Sequence, residues 1–194
     1  MATVALEKGG LIVLPTDTVY GVGALVEQDA IQRLFVAKKR PPDRPVPVLL
    51  SDSGAVMRVA CEFPYWAQRL ADVFWPGPLT LVLGKHPDLP PNLTTLPTVG
   101  VRVPDHHLSR EIIAAAGGAL AVTSANRSDQ PPACTIQSAI RYLADAVVLY
   151  LDGGTCAGGV PSTVVTMEGN ELRVLREGPI TEQALRRVLG GAGT

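Results

Sequence analysis

The sequence predicts an α/β fold built on a mixed β-sheet. Short apolar runs alternate along the chain with segments of helical period, the pattern of strands and helices in turn. That alternation breaks near the C-terminal end, where two strand-like runs face each other across Glu168-Gly169-Asn170 as a closing hairpin. With 194 residues, 46% of them hydrophobic, and a mean hydropathy of +0.21, the chain suits one domain with a sizeable core and is not disordered.

Residues 2–8 suit a short helix ended by Gly9-Gly10. Residues 11–14 are four apolar residues in a row, a buried-strand signal that Pro15 ends because proline has no N–H for a ladder. Thr16, Asp17 and Thr18 then place hydroxyls and a carboxylate at the strand's carboxyl end, the usual ligand position in open α/β sheets; Tyr20, Gly21 and Gly23 follow as a turn, with Tyr20 read as cavity wall. Asp29 is the expected cap of a helix over 30–38 that buries Ile31, Leu34 and Phe35. A second strand covers 46–50, and Ser51-Asp52-Ser53 caps a short helix containing Val56 and Met57. Pro64 opens a helix through Phe74 with Trp66, Leu70 and Val73 inward.

Beyond the rigid break Trp75-Pro76-Gly77-Pro78 come a strand over 80–83, a proline-rich loop over 86–97 and a strand over 99–103. A helix over 108–116 stops at Gly117-Gly118, and a buried strand over 119–122 runs into Thr123-Ser124-Ala125-Asn126. A helix over 135–143, a strand over 147–151, a glycine-rich loop over 152–161, the hairpin strands 162–166 and 172–175, and a helix capped by Thr181 complete the chain. The GGAGT tail, 190–194, is expected to fray.

The charge balance of 17 Lys and Arg against 18 Asp and Glu, net −1, gives no general pull toward nucleic acid or membrane. One stretch departs from it. Lys38, Lys39, Arg40 and Arg44 face a single acid, Asp43, for a local charge of +3, and four prolines between 41 and 47 keep the segment extended. A stiff basic loop of this kind suits polyphosphate. Cys61, Cys134 and Cys156 are scattered and odd in number, which argues against a disulfide framework and for a reducing compartment. No Cys/His spacing resembles a metal site, and His106-His107 reads as a helix start, so no protein-held metal is expected. No signal pattern opens the chain and no apolar run is long enough to span a bilayer; the expected location is the cytoplasm, away from membrane.

Seven motifs then fall in order: PTDTVYG at 15–21, KKRP at 38–41, PGPLT at 76–80, VGVRVPDH at 99–106, TSANRS at 123–128, GGVPSTVV at 158–165 and REGPI at 176–180. Together they resemble the YrdC/Sua5 family of threonylcarbamoyl-AMP synthases, in its short form of one domain over 1–194. The resemblance implies a twisted, open, mixed sheet flanked by helices. It also implies a reaction: L-threonine and bicarbonate (or CO₂) give N-carboxy-threonine, which attacks the α-phosphate of ATP to yield threonylcarbamoyl-AMP and pyrophosphate. Partner proteins, the tRNA threonylcarbamoyl transferase complex, then move the group to adenosine 37 of tRNA.

By the same resemblance Lys38 and Arg40 serve the phosphates and carry the catalysis. Arg44, Thr98, Ser124, Asn126 and Arg176 contact ATP, and Thr18, Arg102 and Ser162 hold threonine, Arg102 by a two-pronged bond to its carboxylate. Mg²⁺ accompanies the ATP. The carbamate is itself the nucleophile, so no covalent enzyme intermediate is expected; Asp17 is the only nearby candidate for a general base. Several positions depart from the family pattern: Arg44 where Asn is common, Leu49 where some members have His, Val122 and Pro132 where some have hydroxyls, Asp129 for the Gly of SANxSG, and Thr166 for Asp. Two rival readings stand beside the enzyme. A YrdC-like module binding double-stranded RNA or tRNA without synthase activity would show affinity falling steeply with salt. Carbamoyl transfer is disfavoured because its longer chains carry zinc-finger and acylphosphatase-like segments, for which no motif stands here.

Overall fold

The structure is a computed structural model that describes residues 1–156 and 159–190. Residues 157–158 of the glycine-rich loop, with Gly158 of the GGVPSTVV motif, and residues 191–194 of the expected frayed tail lie outside the described residues.

The strands are β1 (Ile12–Leu14), β2 (Gly21–Ala24), β3 (Val48–Leu50), β4 (Leu79–Gly84), β5 (Thr98–Arg102), β6 (Ala119–Ser124), β7 (Leu149–Tyr150), β8 (Thr163–Glu168) and β9 (Glu171–Arg176). Among the described residues they form one sheet in the order β7-β1-β2-β6-β3-β5-β4-β8-β9. Parallel pairs (β1·β7, β3·β5, β4·β8) mix with antiparallel ones (β1·β2, β2·β6, β3·β6, β4·β5, β8·β9), so the sheet is mixed as expected. The helices are α1 (Ala2–Glu7), α2 (Gln28–Lys38), α3 (Tyr65–Phe74), α4 (His107–Ala115), α5 (Ile136–Leu143) and α6 (Glu182–Gly190). No described helix is long and apolar enough to cross a membrane.

The uninterrupted apolar runs are explained by burial on both faces. In β1, Val13 joins the main core with Val22, Leu34 and Leu81, while Ile12 and Leu14 join a second core with Leu6, Ile113 and Leu120. Strand β3 divides the same way, Val48 and Leu50 to one side and Leu49 to the other.

Three expectations need correction. The Gly-rich turn after Tyr20 is a strand, β2, antiparallel to both β1 and β6. Its glycine is a packing requirement: a Cβ on Gly21 would stand 2.6 Å from Val122 Cγ1. Asp29 lies in the first turn of α2, whose N-cap is Glu27. Val73 is 59% exposed; α3 buries Leu70 as expected, with Ala67 and Ala71 beside it in place of Val73.

Candidate active site

The two-residue period of a strand places alternate side chains on one face. On one face of this sheet β6 presents Val122 and Ser124, β5 presents Thr98, Gly100 and Arg102, and β4 presents Thr80 and Val82. Ser162, just ahead of β8, and Val164 continue the row. These residues line a cavity of about 410 Å³. Thr16 and Thr18, from the segment after β1, form one wall. The site therefore combines strand carboxyl ends, with Thr16–Thr18 after β1, Arg102 ending β5, Ser124 ending β6 and Arg176 ending β9, with positions along the sheet face such as Thr80, Thr98 and Gly100.

Arg102 is 5% exposed and tightly held. Its Nε donates to Gly77 O at 2.9 Å, one terminal nitrogen to Thr18 Oγ1 at 3.0 Å and the other to Asp17 Oδ1 at 2.5 Å. Among the described residues three of the guanidinium's five N–H groups are thus engaged, leaving one on each of the two terminal nitrogens for an anion. Burial lowers the Arg102 pKa, and the Asp17 charge pulls it back up. Asp17 Oδ1 also accepts from Asp105 N at 3.0 Å. Asp17 does not line the cavity; its place is that of counter-ion behind Arg102 rather than of the general base it was considered for.

Across the cavity, Arg176 donates from Nε and from a terminal nitrogen to Ser162 O at 3.0 and 2.8 Å, and to Ser162 Oγ at 3.1 Å. The Ser162 hydroxyl also shares a 2.8 Å hydrogen bond with Thr80 Oγ1. Burial lowers the Arg176 pKa, and the nearby Arg102 charge lowers it further. Arg40 reaches the cavity from the proline-rich loop, its Nε on Arg44 O at 3.3 Å and a terminal nitrogen on Pro45 O at 2.8 Å. Burial and then the Arg44 charge lower its pKa, while Asp43 opposes them. Three arginines line the cavity and no Asp or Glu does among the described residues, so the field inside favours anions.

Arg40, Thr98, Ser124, Arg176, Thr18, Arg102 and Ser162 therefore converge on one cavity. Lys38, Arg44 and Asn126 do not line it. Lys38 is 1% exposed, its Nζ donating to the carbonyls of Ser124 and Asn126. The Asn126 amide donates to Arg127 O at 2.8 Å and Gln130 O at 2.6 Å. Arg44 is exposed and pairs with Asp129 at 3.2 Å. Both partners of that pair are departures from the family pattern, and Asp129 stands at φ +66°, the left-handed conformation that explains a glycine there. Tyr20 is no cavity wall. Fully buried, it donates to Gly154 O at 2.6 Å and accepts from Gly153 N at 3.0 Å, tying down the 152–154 loop.

The family model for Sua5, YciO and YrdC proteins, described as telomere recombination, matches residues 4–178. The chain belongs to the Sua5/YciO/YrdC family. Among family relatives, the threonylcarbamoyl-AMP synthase of Bacillus subtilis is 35% identical over 192 residues, covering 97% of this chain and 56% of that protein. The Vibrio cholerae threonylcarbamoyl-AMP synthase is 35% identical over 179 residues, covering 90% of this chain and 94% of the relative. Pyrococcus abyssi Sua5, solved in complex with L-threonine, superposes with a TM-score of 0.93 at 34% identity, over 97% of this chain and 56% of that one. The chain thus spans just over half the length of the B. subtilis and P. abyssi proteins and nearly all of the V. cholerae one. Thr80, inside PGPLT but given no role from the sequence, is a further polar lining residue of the site; its alternation with Val82 along β4 was the available signal.

Proposed function

We propose that this chain, read as one YrdC-like domain over 1–194, is an L-threonylcarbamoyladenylate synthase. It joins L-threonine, bicarbonate and ATP into threonylcarbamoyl-AMP with release of pyrophosphate, for the modification of adenosine 37 in tRNA. The observation that carries the reading is a cavity that, among the described residues, is lined by three arginines and no acid, with Arg102 on one side keeping one unengaged N–H on each terminal nitrogen. One ligand there bears a carboxylate and the other a polyphosphate.

In this reading Arg102 takes the threonine carboxylate, and the hydroxyls of Thr18 and Ser162 orient the rest of the amino acid. Threonine's neutral amine adds to the carbon of CO₂ with loss of a proton to solvent, or to bicarbonate with loss of water, to give the carbamate. A carbamate oxygen then attacks the α-phosphorus as the bond to pyrophosphate breaks. Arg40 and Arg176 offset the charge on the phosphates, while Ser124 and Thr98 hold the nucleotide. The lining hydroxyls and cations fit phosphate oxygens and offer Mg²⁺ no carboxylate among the described residues. Mg²⁺ is accordingly read as entering on ATP, and no step is assigned to it. The transferase complex that consumes the product belongs to the same reading.

The test is pyrophosphate release from ATP, bicarbonate and Mg²⁺ with and without L-threonine, with serine as control. Threonine-dependent release, with the mixed anhydride detected by mass, is expected; release indifferent to threonine would overturn the reading. Two further results follow from the geometry. Thr80→Val removes one hydroxyl at constant shape, so the threonine KM should rise roughly fivefold, the worth of one neutral hydrogen bond, with the ATP KM unchanged. An ATP KM that moves equally would place Thr80 elsewhere. Arg40→Ala should raise the ATP KM more than tenfold, from loss of a charge-assisted bond worth about 1.5–3 kcal/mol. Arg44→Ala should stay within about fivefold, because its exposed pair with Asp129 is worth no more than about 1 kcal/mol. Steady-state kinetics on the two variants decides; equal effects would sink the distinction.

A further inference from the structure

We infer that Lys38 is a positioning residue for the nucleotide end of the site, acting through the backbone of the Ser124–Asn126 turn and not by touching phosphate. The inference rests on the synthase reading above and deepens it.

Helix α2 ends at Lys38, and Lys39 follows in the left-handed conformation at φ +51°. The chain turns back there, so Arg40 emerges into the cavity while Lys38 points beneath the end of β6. Its Nζ donates to both Ser124 O and Asn126 O, and its own carbonyl accepts from Ser128 N at 3.1 Å. Asn126 N in turn donates to Ser124 O at 2.9 Å. Lys38 is therefore held at both ends by the 124–128 segment. The buried carbonyl of Asn126 needs a donor, the part-buried carbonyl of Ser124 takes a second beside Asn126 N, and a long apolar stem with an amine at its tip supplies both. Ser124, whose carbonyl is one of the two, is the residue that lines the cavity.

The role does not depend on charge. Burial, with the Arg40 charge second, draws the Lys38 pKa down to about 7. The neutral amine still has two N–H groups for two carbonyls, whereas pairing with phosphate needs the ammonium.

Binding of AMP, ADP and ATP to the wild type and to Lys38→Met tests this, together with acylation of lysines in the wild-type protein. Lys38→Met keeps the stem and loses the donors. It should weaken all three nucleotides by a common factor of roughly ten and leave the threonine KM unchanged. Combined with Ser124→Ala, it should add little to the loss of that single variant. In the wild type, exposed Lys39 should be acylated while Lys38 resists with or without ATP. A loss that grows with the number of phosphates, or a Lys38 that reacts in the free protein and is shielded by ATP, would overturn the inference. Should Lys38→Met not fold, the labelling of the wild type decides alone. Absence of nucleotide binding by the wild type would count against the synthase reading, and the labelling would still report on Lys38.

Discussion

Arg102→Lys is expected to raise the threonine KM about tenfold or more, because lysine cannot offer two N–H groups in one plane to a carboxylate. Its three N–H groups radiate from one atom, whereas Gly77 O, Thr18 Oγ1 and Asp17 Oδ1 are spread around three guanidinium nitrogens, so lysine cannot keep all three bonds and still serve a substrate, and the Thr16–Thr18 wall loses part of its anchor. Arg102→Ala should do more. It strands the Asp17 carboxylate, whose Oδ2 is buried without a partner already, and breaking a buried pair costs about 3–5 kcal/mol. The lower end applies, since the Asp17 side chain keeps 16% exposure and its bond from Asp105 N. Two measurements separate the roles: thermal unfolding for the pair, and the threonine KM of Arg102→Lys for the substrate contact. A lowered unfolding temperature with an unchanged threonine KM would make Arg102 purely structural.

Much of this arrangement was legible in the sequence, for reasons that differ by element. Residues buried on both sheet faces leave long apolar runs, which is why β1, β3 and β6 were visible near their true bounds. Strand β2 was not, because Gly21 and Gly23 read as a turn. Their lack of side chains reflects the nearness of Val122 and Leu14 across the sheet, a contact between segments a hundred residues apart in the first case. The hydroxyls and arginines that line the cavity were named from the family resemblance of their motifs, and the structure brings seven of them together. Thr80 lies inside the PGPLT motif, but the resemblance assigned it no role, and strand alternation alone does not separate a lining threonine from any other.

Lys38, Arg44 and Asn126 show a different limit. Residue type and motif placed all three at the nucleotide, yet the structure turns their side chains to protein partners. Which way a lysine points at a helix end depends on whether the chain beyond it turns back, here through the left-handed Lys39, and on which carbonyls lie within reach. Neither is written in the local sequence. The Arg44–Asp129 pair makes the same point over a separation of 85 residues: each looks like an isolated departure until the fold brings them to 3.2 Å.

Gly178→Ala is expected to cut threonine-dependent turnover about a hundredfold, although residue 178 bears no side chain and touches no substrate. A Cβ at this position would stand 2.6 Å from Pro161 O and from the Ser162 carbonyl carbon, and closer still to Thr163 N. All three are main-chain atoms, so no side-chain rotation relieves the clash. The two segments cannot drift apart freely, because Thr163 Oγ1 donates to Ile180 O at 2.8 Å and accepts from Ile180 N at 3.0 Å, while Thr163 N donates to Pro78 O at 3.0 Å. The displacement must fall on Ser162, whose hydroxyl meets Thr80 and Arg176. A shift of about 1 Å in such a group costs on the order of a hundredfold in rate. Overpacking of this kind adds about 1–3 kcal/mol of destabilisation. Gly169→Ala serves as the comparison: at φ +60° with open space around it, it should cost about 1–2 kcal/mol of backbone strain and leave the kinetics intact. Equal unfolding temperatures with turnover lost only in Gly178→Ala would tie the effect to the placement of Ser162. Turnover retained in Gly178→Ala would mean that the Pro161–Thr163 segment yields without disturbing the site, and that Ser162 does not need the position it holds here.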